Sequence, residues 1–257
     1  MSANSKANNT LLQRSLEKRG FTFGIGVAII YAIWTLVVFF ASAAITSIVL
    51  SLLSKVGVPI KTLPAALLQS IFSVAVYLLT LIIVIGVPYL LAKSKTTLVQ
   101  LGVNRVLSWA DIGLGLVGFI PYIAIKILLV TVVALLFSGY DGNQVQDIGF
   151  STVSSQGNMI LAFITLVIVA PVAEEIVFRG YLYGKVKKYI GTIGATLLVS
   201  ACFGLVHLQP NLIVDTFALG VILCVLRELT GSIWAGVILH MIKNGIAFYV
   251  LFIANIL

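Results

Sequence analysis

The sequence predicts an all-α fold, a polytopic transmembrane helical bundle of seven to eight spanning helices, and three observations predict it. The 257 residues are 60% hydrophobic and only 9% charged, with a mean hydropathy of +1.15, whereas soluble globular domains are about a quarter charged. The charge-free stretches Gly20 to Ser54, Thr62 to Ala92 and Ile148 to Ala173 each exceed the roughly 20 apolar residues that cross a bilayer. These stretches are too long for barrel strands, and a spanning backbone must satisfy its hydrogen bonds internally, which leaves helices. A soluble enzyme is excluded.

In chain order, residues 1–20 form a polar cytoplasmic tail carrying Lys6, Arg14, Lys18 and Arg19 against Glu17. No small-residue cleavage site precedes an apolar core, so a cleaved signal peptide is not expected. Leu11, Leu12 and Leu16 suit a short interfacial helix, but a frayed terminus is the expectation. Residues 21–257 make a single transmembrane domain. Its apolar spans read as helices at about 21–53, 64–92, 111–138, 158–189, 192–208, 212–226 and 231–257, separated by turn or charged residues. Alternation from a cytoplasmic N-terminus puts the tail, Lys93, Lys95, Arg105, Lys185, Lys187, Lys188 and Arg227 inside and leaves only Lys55 and Lys61 in outside loops, as the positive-inside rule requires. The loop Gly139 to Gly157, with Asp141 and Asp147 and no basic residue, suits the outer face. No internal repeat supports a repeat-built transporter. The net charge of +8 comes without basic runs interleaved with aromatics, so no nucleic-acid partner is expected. Cys202 and Cys224 both fall in apolar segments and read as core packing.

A charge at mid-membrane costs about 2.5–3.5 kcal/mol on insertion scales, so each one needs a partner or a purpose. Glu174, Glu175 and Arg179 follow an apolar run, and His207, His240 and Lys243 lie in later spans. Lys126 and Asp215 stand apart and read as snorkelling or interhelical polar contacts. The midpoint of Glu174 and His207 falls between Ile190 and Gly191, beside a Lys- and Gly-rich turn. An antiparallel hairpin there would hold the two side chains at equal depth, roughly 24 Å from the turn. Helical spacing groups Glu174 or Glu175 with Arg179, Phe203 with His207, and His240 with Asn244. Their convergence would supply a carboxylate, imidazoles, a carboxamide and a guanidinium, the parts needed to activate water and stabilise an oxyanion. The alternative is a structural network in which Glu175 pairs with Arg179 and the histidines cap carbonyls.

The runs Glu174-Glu175-Ile-Val-Phe-Arg179-Gly-Tyr, Phe203-Gly-Leu-Val-His207 and His240-Met-Ile-Lys-Asn244 together resemble the EExxxR, FxxxH and HxxxN motifs of the CAAX-protease and bacteriocin-processing family. This family is also called Abi or CPBP, and includes the type 2 CAAX prenyl protease. The resemblance covers about residues 158–250, and the stretch from Gly231 to Trp234 is in the family's style. It implies an intramembrane endopeptidase acting on a membrane-associated peptide or protein, of CAAX, bacteriocin or signal-peptide type, in a bacterial plasma membrane. In that reading Glu174 and His207 activate water, Glu175 and Arg179 orient and support the site, His240 and Asn244 face the oxyanion, and Phe203 packs beside the histidine.

No cofactor is expected on this reading. Zinc is the alternative, with Glu174, His207 and His240 as ligands and an open fourth position; no HExxH motif supports it. Neither the GxSG turn of a serine rhomboid nor the GxGD motif of an intramembrane aspartyl protease occurs. A proton-coupled transporter using the same Glu and His groups, or an inactive immunity or binding protein, are the alternative functions. Oligomeric state is left open.

Overall fold

Apolar faces decide the arrangement, because a helix in lipid can leave its hydrophobic side chains outward and turn its small and polar ones inward. The computed structural model describes residues 3–142, 144 and 156–254, with side chains from residue 22 onward. Helix α1 runs Ala3–Lys55 and α2 runs Ala65–Ala92, with a single 3-10 turn at Ile60–Thr62 between them. Outward residues such as Ile30, Ile33 and Ile82 are exposed, whereas Ala28, Ala32, Thr35 and Thr80 are buried. The helical backbone of α1 begins in the polar tail. This corrects the expectation of a frayed terminus: the polar residues continue the ladder that the apolar span nucleates.

A one-turn helix, α3 (Leu98–Leu101), and the 28-residue α4 (Trp109–Leu136) follow. Both begin with a capping box, Thr97 with Gln100 and Ser108 with Asp111, which satisfies donors otherwise left open at a helix start. Arg105 adds a two-pronged contact to the Asp111 carboxylate at 2.6 and 2.7 Å. The sequence reading missed α3, which is too short for apolar periodicity to reveal.

Residues 156–205 are helical throughout but reverse at Gly191, whose backbone (φ 70°, ψ 178°) lies outside the helical region. They therefore form two arms, α5 (156–190) and α6 (192–205), as the midpoint arithmetic expects. Helix α7 is Pro210–Thr230, started by its proline and ended by Gly231 in the left-handed region. Helix α8 is Trp234–Phe248, continued by a π-helical stretch Tyr249–Ile253.

By length and hydropathy five stretches qualify as membrane spans: 22–55, 65–92, 109–136, 156–205 and 234–253. The chain is thus an integral membrane protein with an all-α fold. The predicted 212–226 span corresponds to α7, which does not qualify as a span by that measure; it carries Asp215, Arg227 and Glu228 and is largely buried in protein. Most of the predicted Gly139–Gly157 outer loop and the last three residues lie outside the described residues.

Helix α6 packs on α7, α4 lies against α7 and α8, and α1 covers α2 and the far end of α5. The α6–α7 contact is close because Gly220 faces Ser200, where an added Cβ would come within 2.9 Å of the serine Cβ. Small residues at such crossings let backbones approach in lipid, where no hydrophobic force drives helices together. Phe178, Phe203, Leu219, Leu223 and Leu239 fill the centre, all fully buried. Both cysteines are free and buried, as core packing requires.

The basic loops gather at one end. Lys185 donates to the Lys95 carbonyl at 3.1 Å, Arg227 to those of Val99 and Gln100, and Lys187 to Glu228. Lys55 and Lys61 lie at the other end, between α1 and α2.

Candidate active site

The local backbone of α5 is irregular where its charged residues stand. Two π-helical stretches, Ile164–Val169 and Ile176–Leu182, flank the α-helical turn Ala170–Glu175. Such widened turns frequently mark functional sites. The first has a sequence cause. The Ala170 N–H bonds to the Thr165 carbonyl, five residues back, so in that register the Leu166 carbonyl would look to residue 171. That residue is Pro171 and has no N–H. The Leu166 oxygen is left for another donor, and Asn244 Nδ2 of α8 donates to it at 2.9 Å. A proline in α5 thereby fixes the carboxamide of a residue 73 positions later.

Glu174, His207, His240 and Asn244 line one cavity of about 490 Å³, together with Gln69, Ser73, Tyr77, Thr216, Lys243 and apolar residues. Glu174 is 9% exposed and points Oε2 at His240 Nε2, 3.6 Å away. Its other oxygen accepts a short hydrogen bond from the Tyr77 hydroxyl of α2. His207 sits just beyond α6, with Nδ1 2.8 Å from the Phe203 carbonyl. A carbonyl only accepts, so Nδ1 carries the proton, and a neutral His207 keeps its Nε2 lone pair.

Glu175 and Arg179 lie behind the cavity, both completely buried, and form an ion pair of 2.8 Å. Glu175 Oε1 is also 3.3 Å from His240 Nδ1. The His240 ring is therefore held between the two glutamates. Gly236 makes this possible, since a Cβ there would stand 2.9 Å from Glu175 Oε2. Phe203 is the hub beneath these groups. The Arg179 guanidinium lies 4.2 Å from its ring centre, and its ring meets those of Phe178, His207 and His240 edge-on at 5.2–5.6 Å. The aromatic face compensates a cation whose Nε and second terminal nitrogen have no hydrogen-bond partner.

All six predicted site residues thus belong to one assembly, four at the cavity and two supporting it from behind. Part of the structural alternative holds as well: Glu175 does pair with Arg179, and His207 does contact a carbonyl. Sequence reasoning missed Tyr77, Gln69 and Ser73 of α2. The only signal was the polar groups inside an otherwise apolar span, since buried tyrosine hydroxyls usually find a partner. Lys126 and Asp215 are an interhelical pair, as expected, 3.0 Å apart. They do not stand apart, however, because Lys243 also reaches Asp215 at 3.3 Å.

Among the described residues no group of three or more His, Cys, Asp or Glu side chains is arranged to hold a metal ion. The donors suggested for zinc share the cavity; Nδ1 of each histidine is engaged, and His240 Nε2 faces Glu174.

Residues 156–246 match the family model described as Rce1-like, type II CAAX prenyl endopeptidase. A candidate membrane peptidase of Bacillus subtilis, YdiL, is 31% identical over 84 residues, covering 33% of this chain and 34% of that protein. The membrane-embedded CAAX protease MroQ of Staphylococcus aureus is 26% identical over 146 residues, 54% of this chain and 56% of MroQ. The chain thus spans about a third and about half the length of these curated relatives. No solved structure matches it.

Proposed function

Taking residues 156–246 as a segment of the Rce1-like type II CAAX prenyl endopeptidase pattern, we propose that the protein is an intramembrane endopeptidase that hydrolyses a peptide bond in a membrane-associated peptide or protein. The observation that carries this reading is that Glu174, His207, His240 and Asn244 share the walls of one cavity in a lipid-embedded bundle. Water in the cavity loses its proton to Glu174, assisted by the free Nε2 of His207. The hydroxide attacks the scissile carbonyl. His240 and the second amide hydrogen of Asn244 face the developing oxyanion, where fixed donors in a dry site act strongly. Glu174 then returns the proton to the leaving amine. Glu175, tied to Arg179, sets the ring plane of His240. Tyr77 positions the Glu174 carboxylate.

No step runs through a metal ion. The basic end of the bundle, with Lys93, Lys95, Lys185, Lys187 and Lys188, faces the cytoplasm of a bacterial plasma membrane.

The test is cleavage of a quenched peptide library by detergent-purified protein, comparing wild type, Glu174→Ala and His207→Ala, each with and without a strong chelator. Cleavage falls at least 100-fold in both variants and is indifferent to chelator. Cleavage that chelator abolishes and zinc restores would move the histidines into a ligand role. Proton-coupled uptake that persists in Glu174→Asp, with no proteolysis, would favour a transporter.

A further inference from the structure

The link between α6 and α7 is four residues, Val206 to Gln209, and it carries His207. Pro210 opens α7, and a residue before proline is pushed out of the helical region; Gln209 is accordingly extended (φ −98°, ψ 129°). Val206 is still helical (φ −67°, ψ −15°). The reversal of direction therefore falls on His207 and Leu208. Leu208 takes it with φ 61°, and across it the Gln209 N–H donates to the His207 carbonyl at 2.8 Å. A γ-turn of this hand is rare and strained. Among the described residues, positive φ otherwise falls on Gly57, Gly102, Gly191 and Gly231 and on Lys93, which caps α2 where left-handed residues are ordinary. Leu208 is 70% exposed, so burial of its own side chain does not compensate the conformation. The surroundings impose it. Gly204 packs so near α7 that an added Cβ would stand 2.9 Å from the Ile213 carbonyl oxygen, and the Leu208 N–H returns to the Leu205 carbonyl at 3.3 Å.

Strain of this kind persists where neighbouring structure over-determines it, and it clusters at functional sites. A glycine would relieve it but would also admit many other backbone settings, whereas a residue with a Cβ has only a small left-handed region. From this placement we propose that Leu208 is a positioning residue for His207. His207 lies past the last turn of α6, its N–H bonded to the Gly204 carbonyl at 3.1 Å, so the α-helical ladder does not hold it. The left-handed turn does, with Pro210 as its cause in the sequence. It fixes the backbone from which the imidazole enters the cavity, Nδ1 on the Phe203 carbonyl and Nε2 left for the attacking water. That last task rests on the endopeptidase reading; the turn itself rests on backbone geometry alone. Leu208 touches neither water nor peptide in this role and acts through the neighbouring ring.

The experiment uses the fact that His207 and His240 are the chain's two histidines. Carbon-13 labelling at histidine Cε1 of the full-length protein in detergent gives one imidazole resonance for each, and His207→Gln assigns them. Leu208→Val puts a β-branched residue where φ is positive, a conformation it resists. Pro210→Ala removes the constraint that sets the turn. Leu208→Asn keeps a Cβ and tolerates the left-handed region. The His207 resonance leaves its wild-type position in Leu208→Val and in Pro210→Ala and keeps it in Leu208→Asn, while the His240 resonance moves less in each. Peptide cleavage follows the ring: kcat falls about tenfold in Leu208→Val at unchanged KM, and Leu208→Asn recovers it. A His207 resonance that stays in place, a His240 resonance displaced as far, no recovery in Leu208→Asn, or a kcat indifferent to a displaced His207 would overturn the proposal. If Leu208→Val does not fold, Pro210→Ala decides by the same resonance. The resonances are read without substrate, so absence of proteolysis by wild type would defeat the endopeptidase reading and leave the hold of Leu208 on His207 to be judged by itself.

Discussion

Tyr77 shows how a single side chain takes on meaning only from its partner. In a helix of otherwise lipid-facing character it places its hydroxyl on Glu174, 97 positions away. A hydrogen bond to a charged group contributes about 1.5–3 kcal/mol, and each 1.4 kcal/mol is tenfold in rate. If Tyr77 orients the carboxylate for proton abstraction, Tyr77→Phe lowers kcat between about 10- and 100-fold and leaves KM within twofold. Steady-state kinetics on a cleaved peptide check this; an unchanged kcat would remove Tyr77 from the site. Glu175 and Arg179 are of another kind. Neither lines the cavity, and their mutual ion pair at zero exposure places a carboxylate oxygen 3.3 Å from His240 Nδ1. Breaking such a pair leaves an uncompensated buried charge, so these two residues hold the structure behind the cavity.

At the scale of the element, α5 departs most from regular geometry and carries Glu174, Glu175 and Arg179. Its two π-helical stretches alter the angular offset between turns, yet the i,i+4 pairing of Glu175 with Arg179 that helical spacing predicts is kept. The reversal at Gly191 is equally specific. Its φ of 70° with ψ of 178° belongs to a region that residues with a Cβ occupy at a cost of about 1–3 kcal/mol. Gly191→Ala is therefore expected to lose that much stability in an SDS titration of the detergent-solubilised protein. Gly26→Ala, at a helical position with nothing within 4 Å of the added Cβ, shows no loss. Equal stability of the two variants would mean that α5 and α6 can reverse without the glycine.

For the whole molecule, the governing fact is that two ends differ in charge while the middle holds the cavity. Lys185 and Lys187 of α5 and Arg227 of α7 contact each other's helices and the stretch 95–100 at one end, which positive-inside reasoning assigns to the cytoplasm. Single cysteines at exposed Lys188 and Lys61, introduced with Cys202 and Cys224 left buried in place, test this in intact cells with a membrane-impermeant thiol reagent. Lys61→Cys is labelled and Lys188→Cys only after lysis; the opposite pattern would invert the topology. In the proposed orientation Glu174 lies about 24 Å of helix from the basic turn.

Composition and charge-free length by themselves determined that this chain is a helical membrane protein, because lipid offers a backbone no other route to satisfied hydrogen bonds. The hairpin at Gly191 and the common depth of Glu174 and His207 were also legible, since an antiparallel pair obeys simple arithmetic in residue number. The convergence of the six candidate residues was legible too, from the cost of charge in lipid and from helical spacing. Only the tertiary structure decided which of them meet water and which stand behind. It alone brought Tyr77 to Glu174, sent Asn244 to the carbonyl that Pro171 leaves open, and joined Lys126, Asp215 and Lys243 beside the active cavity. These are contacts between helices distant in sequence. Their partners are chosen by the rotation and crossing of packed helices, which a local pattern of residues does not encode.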